Sequence, residues 1–118
     1  MGIFRQKIIV VNPSSQNSVE LSALVDTGST YTWIPEDTLR DLEVQPTFKR
    51  SLKLATGQVI ERDATQIIVV LNGESIFTIC IFGDPGSEPL LGALTLESFS
   101  LGVNPINKKL VPTVSYLA

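Results

Sequence analysis

The stretch LVDTGSTYTWIP, Leu24 to Pro35, decides how the rest of the chain is read. Ahead of it, Val19, Leu21, Ala23 and Val25 alternate with Glu20, Ser22 and Leu24. That period of two marks a half-buried strand running straight into Asp26. Behind the carboxylate come Thr27, Gly28, Ser29 and Thr30, then the single tryptophan, Trp33, with Ile34 and Pro35. Asp, Thr and Gly are all turn residues, so the triplet taken alone is compatible with a turn at a strand end.

Upstream, Ile3 to Val11 is rich in β-formers and Asn12 to Asn17 is a Pro/Ser/Asn loop. Downstream, Tyr31 to Ile34 reads as a short strand. Pro35-Glu36-Asp37 then opens a short helix, because Pro suits the first turn and acids suit the positive helix end; Leu39 and Leu42 form its buried face. Ser51 to Ala55 and Gln58 to Ile60 flank Thr56-Gly57, a hairpin signal. Thr65 to Leu71 is a strand ending in Asn72-Gly73, the strongest hairpin signal in the chain, and Ser75 to Phe82 returns. A Gly/Asp/Pro/Ser/Glu loop covers Gly83 to Pro89. Leu90-Leu91-Gly92 is a short apolar strand, and Ala93 to Phe99 is a short helix with Leu96 and Phe99 inward. Leu101 to Val111 reads as a hairpin turning at Asn107-Lys108. About eight closely spaced strands and two short helices predict an all-β fold, a small barrel or sandwich. With 118 residues and no linker or repeat, residues 1–118 are expected to form one domain.

Composition removes several function classes. The chain has no histidine, which excludes His-based triads and dyads and most zinc sites. A single cysteine, Cys80, excludes an intrachain disulfide; within the strand Thr78-Ile79-Cys80-Ile81 it reads as a small buried residue. A net charge of −3 and scattered basic residues argue against nucleic acid as a partner. No apolar run reaches the roughly 18 residues of a membrane span, so no membrane partner is expected. The opening MGIFRQKIIVVNP lacks a signal-peptide pattern, and Gln6 stands where a myristoylation motif needs Ser or Thr. A cytoplasmic location is the expectation.

The run Asp26-Thr27-Gly28-Ser29-Thr30, followed by Trp33-Ile34-Pro35, closely resembles the active-site loop of aspartic proteases. Leu90-Leu91-Gly92 resembles the apolar-apolar-Gly strand beside that loop. The following ALTLESFSLGVNPINKKLVP looks like the helix and closing hairpin of free-standing, prokaryotic-type retropepsin-like proteases. The Thr56-Gly57 hairpin falls where that family has its flap. The resemblance spans about Ile3 to Pro112 and implies the small closed, barrel-like retropepsin fold with one or two short helices.

The chemistry that this implies needs two carboxylates. Hydrolysis of a peptide without metal or His requires a base to activate water and an acid to protonate the leaving amine. Two acids sharing one proton supply both. This chain has one Asp-Thr-Gly, and Asp84, before Pro85-Gly86, reads as a loop turn. The second carboxylate is therefore expected from a second copy, in an isologous homodimer with the site on its two-fold axis. The resemblance gives Thr27 a hydrogen bond across that axis and Gly28 a close backbone approach. It gives Ser29 a hydrogen bond to an Asp26 oxygen, which favours the charged form and implies an acid-shifted activity optimum. Leu91 and Gly92 are expected beside the substrate, with Gly92 leaving room for the loop. Thr56, Gly57 and Gln58 are expected at a flap tip over a protein or peptide substrate. No metal or organic cofactor is implied.

Two features depart from the retroviral pattern. The flap has one glycine rather than several, and Ala93 stands where an arginine often braces the dimer. Trp33 reads as core, as do Phe77, Ile79 and Ile81 on one strand face with Ile76 and Phe82 nearby. Leu52 and Leu54 fit either core or substrate pocket. Two other functions fit the same residues. One is a module that keeps the fold for dimerisation or peptide binding without activity, against which the intact Asp26-Thr27-Gly28 counts. The other is a self-processing protease of a retroelement polyprotein, against which the Met start counts.

Overall fold

Alternation in the 18–25 segment is realised as β2 (Ser18–Val25), which buries Ala23 and Val25. The computed structural model describes residues 4–114. β1 (Arg5–Val11) runs antiparallel to β2 and turns Ile8 and Val10 into the same core; the expected start at Ile3 lies outside the described residues. β3 (Thr32–Pro35) follows the Asp26 loop and passes directly into α1 (Glu36–Asp41). Leu39 and Leu42 are buried, as their spacing predicts.

β4 (Phe48–Lys53), β5 (Val59–Leu71) and β6 (Glu74–Gly83) form a meander. β5 is one continuous strand of 13 residues, where two were expected. The charged Glu61-Arg62-Asp63 interrupts the apolar pattern without interrupting the strand, because Asp63 pairs with Lys49 at 3.0 Å and Arg62 with Asp84. The β5–β6 turn has Asn72 and Gly73 both at positive φ, 52° and 81°, the two-residue geometry that matches strand twist.

β6 corrects one expectation. Its inner face carries Thr78 and Cys80, while Phe77 is 62 % exposed and Ile79 half-buried. Ile81 is buried, as expected. A hydrophobicity count favours Phe77, but the register pairs Thr78 with the buried Ile67, and the Thr78 hydroxyl finds a partner inside.

β7 (Leu90–Leu91), α2 (Ala93–Ser98) and the hairpin β8 (Leu101–Asn104) with β9 (Lys109–Pro112) complete the described chain. Seven strands form one sheet in the order β1-β2-β7-β3-β6-β5-β4, and β8-β9 forms a second. Ile9–Val11 of β1 also pairs with Ile68–Val70 of β5, so the large sheet closes on itself as a ring with β4 outside it. Ile34, Leu39, Ile67, Leu91 and Leu96 fill the interior, with Leu96 and Phe99 directed inward from α2 as expected. Among the described residues no helix is long and apolar enough to cross a membrane.

Candidate functional site

The Asp26 loop is held in place almost wholly by backbone. Leu24 and Val25 pair in parallel with Leu90 and Leu91, and the ladder continues as Asp26 N–H donates to Leu91 O at 3.0 Å. The chain then turns sharply: Ser29 N–H donates to Asp26 O at 3.1 Å, and Gly28 N–H donates to the carboxylate Oδ1 at 3.0 Å. Asp followed by a small residue suits this turn, because its side chain accepts from the backbone two residues on. Asp26 is half-buried, whereas Thr27 and Gly28 are exposed.

Ser29 departs from its expected role. Its hydroxyl donates to Tyr31 O at 2.8 Å and not to the Asp26 carboxylate, so within this chain it stiffens the loop instead of sharing the acid.

The segment after β7 grips the loop from behind. Ala93 N–H donates to Ser29 O at 2.8 Å and Leu94 N–H to Thr30 O at 3.0 Å. Gly92 sits so close that a Cβ there would stand 2.3 Å from Tyr31 O and 3.0 Å from Ser29 O. The need for glycine is thus close approach, as its sequence position suggests. The Leu91 side chain is fully buried and Gly92 is buried too. Both were expected against substrate; burial places them behind the loop, acting on its backbone.

Thr56, Gly57 and Gln58 do form a hairpin tip. Leu54 N–H donates to Gln58 O and Gly57 N–H to Leu54 O, each at 2.8 Å, with Gly57 at φ 90°. All three tip residues are exposed, and they do not line the groove in front of the loop. That groove, of ≈ 360 Å³, is bounded by Gly28 to Tyr31 and Trp33 on one side and by Ser51 to Leu54 of the hairpin base on the other. Leu52 and Leu54 are therefore pocket, and Trp33, half-buried, belongs to the groove as well as to β3. Sequence reasoning missed Trp33 and Tyr31 as lining groups, although two aromatics just behind an acidic turn are a usable signal. A larger concavity, ≈ 650 Å³, lies between the 12–14 turn, the 43–48 segment and Phe77. Its lining includes no residue of the Asp26 turn, whereas Gly28 and Ser29 of that turn line the smaller groove, so the smaller groove is the chemical candidate.

Two reactive-looking groups fall elsewhere. Cys80 is fully buried, and burial pushes its thiol up to about 12 against a weaker opposing backbone hydrogen bond from Ile34. Asp84 pairs with Arg62 in the 83–89 loop; the guanidinium's hydrogen bond and charge hold its carboxyl below the ordinary value.

The family model described as Aspartyl protease matches residues 12–76, which include the Asp26 loop and the hairpin over Leu54–Gln58. Among solved structures the chain is similar to the Simian Foamy Virus (mac) protease, at 19 % identity and a TM-score of 0.57, over 81 % of this chain and 94 % of that one. It is also similar to the EIAV protease complexed with the inhibitor HBY-793, at 18 % identity and a TM-score of 0.62, over 81 % of this chain and 86 % of that one. No curated protein matches the chain.

Proposed function

The chain belongs to the aspartyl protease family, with a retropepsin-like fold, and from that premise we propose that two copies of it form an aspartic endopeptidase. The observation that carries the proposal is the placement of Asp26. It is the only acid of an Asp-Thr-Gly in the chain, it stands on a rigid turn, and that turn fronts a groove walled by a hairpin.

One carboxylate cannot be base and acid in the same step, so the partner's copy supplies the other. The exposed Thr27 and Gly28 support a contact between loops across a two-fold axis, the self-complementary arrangement of an isologous dimer. The charged member of the pair takes a proton from water as its oxygen attacks the peptide carbonyl carbon. The protonated member gives its proton to the carbonyl oxygen. As the tetrahedral intermediate collapses, the carboxyl that took the water proton gives it to the amine nitrogen, the other carboxylate takes back a hydroxyl proton, and the C–N bond breaks. Leu52, Leu54 and the Thr56-Gly57-Gln58 tip close over a protein or peptide substrate and keep bulk water out.

The test is cleavage of a mixed peptide library by wild type and Asp26→Asn, read by mass spectrometry. Loss of rate in the variant by at least the roughly 10²–10⁴-fold that acid–base catalysis contributes is expected. Asn can still accept from Gly28 N–H, so the melting temperature should hold. Equal cleavage by both proteins refutes the proposal, as does sedimentation that finds only monomer at every concentration tested.

A further inference from the structure

Behind the Asp26 loop three threonine hydroxyls meet in the interior. Thr32 and Thr95 are fully buried and Thr78 is 7 % exposed. Thr95 Oγ1 lies 2.6 Å from Thr32 Oγ1 and 2.8 Å from Thr78 Oγ1, and Thr32 Oγ1 accepts from Gly92 N–H at 3.1 Å. The hydroxyls come from β3, β6 and α2, three elements far apart in sequence. Valine fills nearly the same space with no polar atom to satisfy, so packing alone does not call for three hydroxyls at one point. Hydrogen bonds add what apolar contact lacks, namely direction.

We infer that Thr95 is a positioning residue for the Asp26 loop. It fixes the first turn of α2 against β3 and β6, and the two residues just before it, Ala93 and Leu94, are the ones whose N–H groups hold Ser29 O and Thr30 O. The same network fixes Gly92, whose backbone lies against Tyr31 and Ser29. Loosening Thr95 lets the 92–94 segment slide, and the loop moves with it. In a two-fold dimer a displacement away from the axis counts twice in the distance between the carboxylates. The inference rests on the protease reading above for its catalytic consequence, and on hydrogen bonds within one chain for its structural part.

The experiment compares Thr95→Val, which removes the hydroxyl at constant shape, with Thr95→Ser, which keeps it. Thr65→Val serves as a control, since Thr65 is another buried threonine whose partner is Thr47, away from the loop. Turnover is measured on the best peptide found for the wild type, at equal dimer fraction by sedimentation. Amide exchange at Ala93 and Leu94 is measured alongside. Thr95→Val is expected to lower kcat at least tenfold with KM within twofold, and to speed exchange at both amides at least tenfold. Thr95→Ser should return both within about threefold of wild type, and Thr65→Val should leave both there. The inference is overturned if Thr95→Val keeps kcat and amide protection, if serine does not rescue, or if Thr65→Val does equal damage. Should Thr95→Val not fold, Thr95→Cys replaces it under the same limits. A wild type that cleaves nothing defeats the protease reading instead, and the exchange data then decide the role of Thr95 alone.

Discussion

Gly92→Ala is the sharpest perturbation the site offers. The new Cβ would lie 2.3 Å from Tyr31 O and 2.4 Å from Tyr31 C, both backbone atoms. The loop must therefore retreat by about 1 Å to reach ordinary contact near 3.4 Å. Gly92 itself has an ordinary extended backbone, φ −90° and ψ 173°, so alanine meets no conformational penalty there. A retreat of that size breaks or badly stretches the bonds from Ala93 N–H to Ser29 O and from Leu94 N–H to Thr30 O. Two lost hydrogen bonds cost about 2 kcal/mol, and residual overpacking adds about 1–3 kcal/mol. Restricting the unfolded chain returns about 0.4–1 kcal/mol. The net is roughly 2–4.6 kcal/mol, or about 8–18 °C in melting temperature for a chain of this length. The same 1 Å acts on catalysis, where such a misplacement costs about 10²-fold in kcat. Differential scanning fluorimetry and peptide turnover test both halves. A variant that melts and turns over as the wild type does would refute the close-approach argument outright.

Three further outcomes follow from other parts of the molecule. Arg62→Gln should weaken the protein slightly at neutral pH: the carboxyl of Asp84 lies below its ordinary 3.8, so its contribution is complete above that value and fades as pH falls through the lowered one. The wild-type advantage in urea midpoint should therefore shrink as the solution is acidified, and an advantage that does not change as pH falls would contradict the pairing. Cys80 should resist iodoacetamide in the native protein, and because its thiol moves from 9.0 when unfolded to about 12 when folded, the wild type should lose stability relative to Cys80→Ala as pH climbs between those values. Urea midpoints that stay parallel with pH would show the thiol to be less enclosed than it looks. Phe77→Ser on β6 should change stability by no more than about 0.5 kcal/mol, whereas Ile67→Ala, on β5 opposite the inward Thr78, should cost about 2–5 kcal/mol; the reverse order would reverse the face assigned to this strand pair.

Much of this fold can be read along the chain because its signals are local. The alternation from Val19 to Val25, the Asn72-Gly73 turn and the Pro35-Glu36-Asp37 helix start each act over a few residues, and each is realised. What escapes is set by partners far away. Thr78 can face the core only because Thr95 meets its hydroxyl, and no feature near Thr78 announces that. The charges at 61–63 look like a break until the strand beside them supplies Lys49. The site divides the same way. Asp26, Gly28 and Gly92 are legible as residues with one permitted chemistry or shape. The Ser29 hydroxyl rotates freely about its side chain, so its partner is set by the folded loop, and it takes Tyr31 O.

The closing of the sheet through β1 and β5 has a mechanical meaning. Over Ala64–Leu71 β5 is part of the ring, but over Val59–Asp63 the only strand paired with it, among the described residues, is β4. The hairpin is thus a cantilever: clamped at one end in the ring, tied once more at Arg62 to Asp84 of the 83–89 loop, and flanked by no further strand among the described residues from there to Gly57. Its length and side chains can be rewritten without reopening the ring. Under the proposed function, the parts assigned to substrate are in this sense separable from the parts that hold the fold, and new specificities can be explored on this scaffold at small structural risk.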